Sequence, residues 1–127
     1  MQPTTPGLTR IGQIAIVVHD VPRAVAFYRD AMGLRLLFEV PPTMAFFDCG
    51  GVRLMLSLPE GNEHDHPSSI LYFMVDDIVA AHAAMTERGV PFVDAPHMIA
   101  RMPDHELWIA AFRDSEGNYL ALMCEKR

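Results

Sequence analysis

The strongest constraint on this chain is that it is written twice. "IGQIAIVVHDV" (11–21) lies over "PSSILYFMVDDI" (67–78), so that Val18-His19-Asp20-Val21 matches Val75-Asp76-Asp77-Ile78 at a constant offset. A helical pattern follows each match and is closed by glycine, at Gly33 and Gly89. "GGVRLML" (50–56) then matches "EGNYLAL" (116–122) at a longer offset, which puts nine additional residues of the second copy around "APHMIARMPDHELW". A repeat of this length fixes architecture before any single residue does, because each copy must fold as the same supersecondary unit.

Each copy reads as strand, helix, then three strands. In "QIAIVV", Ile14, Ile16 and Val18 alternate onto one face. Asp20 is placed to cap a helix, and Pro22 falls in its first turn, where a missing N–H does no harm. Val21, Ala24, Val25, Tyr28 and Met32 form an apolar stripe at helical spacing. "RLLFEV", "MAFFDC" and "VRLMLSL" follow as strands, punctuated by Pro41-Pro42 and Cys49-Gly50-Gly51. The second copy repeats this with "ILYFMV", a helix from Ile78 to about Arg88, and strands at "PFVDAP", "ELWIAAFRD" and "NYLALMC". His82, one turn beyond Ile78, reads as a helix histidine partly packed on the sheet. The chain is expected to be a single domain over 1–127, with one module at about 9–58, a polar linker at 59–68 and a second module at about 69–125.

Its 127 residues, half of them hydrophobic, are enough for a real core. Ten basic against sixteen acidic side chains give a formal charge of −6, and Lys126 is the only lysine. Phosphate binding needs a positive footprint, so nucleic acid is not an expected partner. The start, MQPTTPGLTR, does not read as a signal peptide, and no apolar run has membrane-spanning length. Cys49 and Cys124 read as free thiols of a cytoplasmic protein rather than a disulfide scaffold.

Together, "IGQIAIVVHDVPRAVAFYRDAMGL", "ILYFMVDDIVAAHAAMTERGV" and "FRDSEGNYLALM" resemble the vicinal oxygen chelate superfamily. That superfamily includes glyoxalase I, type I extradiol dioxygenases, methylmalonyl-CoA epimerase, fosfomycin-resistance enzymes and bleomycin-resistance proteins. The resemblance runs from about residue 9 to 125. It implies an α+β fold of two βαβββ modules forming a curved mixed sheet around a cleft, helices outside. It also implies a homodimer, since members with a single pair of modules commonly associate.

Metal-using members hold a divalent ion with His, Gln or Glu from the first and last strands of each module. Carried across by motif, those positions fall on Gln13, Met55, Ile70 and Ala121. Only Gln13 suits a hard or borderline ion; Met55 offers a soft thioether, and Ile70 and Ala121 offer nothing. One neutral amide does not make a site of three or four ligands. No metal and no cofactor is therefore expected. The densest cluster of other ligand types, Glu63-His64-Asp65-His66, reads as a solvated linker, and His97 and His105 bracket the second module's long loop or strand pair without a spacing that assigns them a role.

Strand parity sharpens what lines the cleft instead. If Ile14, Ile16 and Val18 face the helix, then Gln13, Ala15 and Val17 face the cleft. So do Arg53, Met55 and Ser57, then Ile70, Tyr72 and Met74, then Tyr119, Ala121 and Met123. Trp108 and the phenylalanines at 46 and 47 add stacking surface of undetermined parity, and Glu39 and Asp48 add acid only if their strands turn them inward. The expected ligand-binding set is Gln13, Arg53, Met55, Ile70, Tyr72, Trp108, Tyr119, Ala121 and Met123, an apolar and aromatic lining with a few orienting polar groups. It fits a binding protein for a small apolar or aromatic molecule, without membrane or nucleic-acid partners. The alternative is a metal-free lyase, isomerase or epimerase acting beside a carbonyl, which needs a base and an enolate stabiliser from Tyr72, Tyr119, Arg53, Gln13, His97 or His105. A metal-dependent glyoxalase or dioxygenase requires a different ligand mapping.

Overall fold

The computed structural model describes residues 7–127; residues 1–6, with part of the start read above for a signal sequence, lie outside it. The first half contains β1 (Gln13–Val17), α1 (Val21–Ala26, continued by a wider turn over Phe27–Ala31), β2 (Arg35–Val40), β3 (Met44–Cys49) and β4 (Val52–Ser57). The second contains β5 (Leu71–Met74), α2 (Ile78–Glu87), β6 (His97–Arg101), β7 (Glu106–Arg113) and β8 (Tyr119–Lys126). They form two four-stranded mixed sheets of order β1-β4-β3-β2 and β5-β8-β7-β6, neither closed into a barrel. The parallel pairs β1/β4 and β5/β8 each put the first strand of a half beside its last.

The caps are those the sequence asks for. The Asp20 carboxylate accepts the Arg23 N–H with proline in the first turn, and Asp77 accepts the Ala80 N–H. α1 differs from α2 by one inserted residue. Its last turn is a π-type widening, with the Met32 N–H reaching back to Phe27 O. The bond that closes the helix then runs from Leu34 N–H to Tyr28 O, against Val90 N–H to Met85 O in the second half. This insertion explains why the closing glycines lie one position nearer each other than the capping motifs do. Both glycines take the positive φ (78° and 91°) that ends a helix.

One buried cluster joins both halves. Ile16, Val18, Tyr28, Phe47, Leu54 and Leu56 pack in continuity with Ile78, Phe112, Leu120 and Leu122, all on the faces that carry the helices. The His82 ring packs against Phe92 at 4.3 Å between centroids, tilted by 59°. Both cysteines are free, Cys124 buried and Cys49 half-buried. No helix among the described residues is long and apolar enough to cross a membrane.

One strand lies elsewhere than expected. "PFVDAP" forms only a single bridge, Phe92 to Phe112, and the strand is His97–Arg101. Prolines at 91 and 96 remove two ladder donors. Asp94 uses its carboxylate to accept the Ala111 N–H at 2.8 Å, doing with a side chain what a backbone carbonyl would do in a ladder. The nine additional residues thus supply β6 rather than a loop.

Candidate functional site

Each sheet has one face free of helix, and register decides which side chains it displays. In the first sheet Gln13 sits beside Arg53 and Ala15 beside Met55, while Met55 faces Phe46 and Arg53 faces Asp48 across β3. A bulge at Leu37 then brings Phe38 opposite Phe46. Phe38 and Phe46 stack at 4.4 Å, and the Arg53 guanidinium lies over the Phe46 ring at 5.2 Å. Arg53 Nε donates to Gln13 Oε1 at 2.7 Å, and Gln13 Nε2 donates to Met55 Sδ at 3.8 Å. The amide is therefore fixed in a row of side chains, with its oxygen already used by an arginine. Arginine over an aromatic face, held by one hydrogen bond, keeps its other donors oriented outward.

The helix-free face of the second sheet is more apolar. Tyr72 pairs with Ala121 and Met74 with Met123; Ala121 also faces Ala111, and Tyr119 faces Arg113, whose guanidinium covers the tyrosine ring at 5.3 Å. Ala121 is only 1% exposed, a floor between larger neighbours, whereas Tyr72 is 52% and Met74 57% exposed. Ile70, just before β5, is also exposed. Ile70, Tyr72 and Met74 thus form a run of exposed large side chains along one face of β5 and the residue before it.

Eight of the nine residues expected to bind ligand lie on or beside these two faces. Trp108 does not. It pairs with Cys124, whose side chain is buried on the helix-bearing face, and it packs there against the core under the Lys126 ammonium at 3.8 Å. The same counting puts Phe46 on the helix-free face and Phe47 in the core, with Asp48 beside Arg53 and Glu39 on the opposite face from it. This parity was legible: the Gly50-Gly51 turn sets Cys49 opposite Val52, and Phe46 opposite Met55 follows by counting. Arg113 was missed because its face depends on the partner strand rather than on its own neighbours.

No hydrogen bond, ion pair or ring contact joins the Gln13–Arg53–Met55 row to Tyr72, Tyr119 or Met123 among the described residues. Contacts between the halves run elsewhere. The Tyr28 hydroxyl donates to Asp114 at 2.6 Å, Arg23 donates to Ser115 O, and Arg88 Nε donates to Ala31 O at 3.1 Å. Glu116 accepts the backbone N–H groups of His19 and Asp20 and meets the His19 ring at 3.1 Å.

The four positions that hold a metal in the resembling superfamily do not fit one here. Gln13 is committed to Arg53, Met55 is a thioether, and Ile70 and Ala121 carry no donor. Among the described residues no three His, Cys, Asp or Glu side chains converge. Asp65 instead orders its own loop by accepting the N–H groups of Glu60, Gly61 and Asn62. His97 bonds the Ala95 carbonyl, and His105 lies against Asp104.

Glu116 yields a pH prediction. Burial opposes its ionisation, but the donors at His19 and Asp20 outweigh this and hold its carboxyl below the ordinary glutamate value. A lowered folded-state value contributes stability that is complete above the unfolded value, about 4.3. That contribution is lost as pH falls through the folded value. Urea midpoints followed from pH 7 downward are expected to fall more steeply below about pH 4 for wild type than for Glu116→Gln. Parallel curves would contradict this.

Comparison with known proteins follows the same outline. Residues 10–122 match the family model described as the Glyoxalase/Bleomycin resistance protein/Dioxygenase superfamily. The chain is 28% identical over 126 residues to the uncharacterized protein YraH of Bacillus subtilis (strain 168), covering 87% of this chain and 94% of that one. A solved member of the same superfamily from Sphaerobacter thermophilus superposes with a TM-score of 0.74 at 25% identity, over 93% of this chain and 98% of that one. A lactoylglutathione lyase structure from Agrobacterium tumefaciens gives 0.72 at 23% identity, over 93% and 95%, and shows likeness of fold.

Proposed function

The chain belongs to the Glyoxalase/Bleomycin resistance protein/Dioxygenase superfamily, and from that premise we propose that it binds a small apolar or aromatic molecule on its helix-free sheet faces without using a metal. One observation carries the reading: Phe38, stacked on the buried Phe46 beside Arg53 on one sheet, and the Ile70, Tyr72, Met74 and Tyr119 surface on the other are displayed rather than packed. Stacked rings give a ligand flat contact area at low entropic cost, while Arg53 and Gln13 supply the few oriented polar groups such a site needs. Met55, Met74 and Met123 adapt to an irregular outline, and Ala121 provides depth between them.

In this reading the two modules, 9–58 and 69–125 with the linker 59–68 between them, act as one domain. A second copy of the chain covers the exposed faces and closes a cleft over the ligand, so the working unit is a homodimer. Two free thiols fit a cytoplasmic setting. Sedimentation equilibrium with 1-naphthol, a neutral planar probe, tests the reading. The expected result is a dimer whose dissociation is suppressed by the probe, since a ligand held between two copies favours the assembled state. A monomer at all concentrations, unchanged by the probe, would contradict it.

A further inference from the structure

The two halves meet at two seams that the internal repeat makes equivalent, and the seams are not filled alike. At the first, the Asp114–Asn118 turn of the second half packs on β1 and α1 of the first. Tyr28 fills the space and donates to Asp114, and Glu116 takes the amides of His19 and Asp20. Repeat spacing gives the counterparts at the second seam. In cross-strand register Cys49, opposite Val52, stands for Asp114, which is bonded to Asn118, and by the offset that relates β4 to β8 Gly50 stands for Glu116. By the offset that relates the two capping motifs, Met85 stands for Tyr28 and Asp76 for His19. The glycine has no carboxylate with which to bridge to Asp76 and Asp77, and the methionine has neither the ring nor the hydroxyl of tyrosine. No hydrogen bond links the Asp48–Gly51 turn to Asp76, Asp77 or α2 among the described residues.

A cavity of about 500 Å³ stands where the first seam has these contacts. Leu34 and Val52 line it from the first half, Leu71, Phe73 and Met85 from the second, and Cys49 stands at its edge. Leu71 and Phe73 belong by parity to the helix-bearing face, yet they remain only partly buried because this space lies beside them. The volume falls within the roughly 300–1,000 Å³ of small-molecule sites. No charged side chain is in its lining, whose polar points are the Cys49 thiol and the Tyr72 phenol. Burial, and then neighbouring Asp48, raise the Cys49 thiol above its ordinary value, so the edge group is neutral as well. A charged ligand entering there would lose its hydration without gaining a partner.

We infer that this inter-module cavity, away from the Arg53 face and meeting the Tyr72 face only along the edge strand β5, is a second binding site, for a small neutral hydrophobic molecule. The Cys49 thiol reports on it. Modification by methyl methanethiosulfonate is followed by mass spectrometry of the Cys49 peptide, with toluene as the neutral probe and benzoate as its charged counterpart. Toluene at about ten times its Kd is expected to slow Cys49 modification about tenfold, by simple occupancy, while benzoate at the same concentration leaves the rate unchanged. Met85→Tyr, which restores the first seam's residue, and Val52→Phe, which fills the space from the other wall, are each expected to abolish the toluene effect. Equal rates with and without toluene in the wild type would overturn the site. So would equal protection by benzoate, or a toluene effect that survives in either filled variant that remains folded by circular dichroism.

Discussion

Replacing Asp114 by alanine is expected to destabilise the protein by about 3–5 kcal/mol and to lower its melting midpoint by roughly 10 °C or more. Asp114 is 4% exposed and accepts four hydrogen bonds, from the Tyr28 hydroxyl at 2.6 Å, the Glu116 and Asn118 N–H groups at 2.9 and 2.8 Å, and Asn118 Nδ2 at 2.9 Å. Removing the carboxylate leaves the hydroxyl of a fully buried tyrosine without an acceptor and releases the turn that carries Glu116 to the first half. Burial, and then the charge of Asp114, push the Tyr28 hydroxyl far above its ordinary range, so it remains a donor at every accessible pH. Tyr28→Phe deletes one bond and leaves the carboxylate three donors, so about 1–2 kcal/mol is expected for it. Urea unfolding measures both, and equal losses in the two variants would contradict this division.

Phe46→Ala is expected to weaken 1-naphthol binding roughly ten- to hundredfold, about 1–3 kcal/mol. Phe46 is only 8% exposed, with Phe38 stacked on it at 4.4 Å and the Arg53 guanidinium over its ring at 5.2 Å. Its loss removes the ring that supports Phe38, the exposed surface a planar ligand would cover, and that orients Arg53. Arg53→Lys retains the charge but loses the planar group and the Nε bond to Gln13, and a smaller loss in the same direction is expected. Fluorescence titration of both variants measures this, with circular dichroism as the check on folding. Unchanged affinity in Phe46→Ala would remove the first sheet from the site.

The repeat made most of the fold legible, because two copies of one pattern constrain each other. Asp20 and Pro22, the Gly33 and Gly89 stops and the strand alternation were all local signals, and the structure follows them. Two departures came from chemistry that alternation does not encode. Pro91, Pro96 and the Asp94 carboxylate displaced β6 to His97–Arg101, and one inserted residue widened the last turn of α1. Single-strand parity placed Gln13, Arg53, Met55, Tyr72, Tyr119, Ala121 and Met123 on helix-free faces, but it could not place Trp108, whose side is set by pairing with Cys124 across the sheet. Nor could parity show whether hydrogen bonds or ring contacts join the two faces, which among the described residues they do not, since that depends on how the modules join. The joint is made by Tyr28, Asp114 and Glu116, residues whose side-chain bonds span 86 positions and more.

Ala121 and Ile70 matter here for what they exclude. At two of the four positions where metal-using relatives of this fold carry a ligand, this chain carries hydrocarbon, and at a third the amide of Gln13 is bound to Arg53. The most direct test of metal-independent binding is isothermal titration of 1-naphthol onto the protein, as purified and after exhaustive dialysis against EDTA. The account predicts saturable binding with the same affinity and stoichiometry in both samples. Binding that disappears with EDTA and returns on adding Zn²⁺, Ni²⁺ or Fe²⁺, or no saturable heat in either sample, would contradict it.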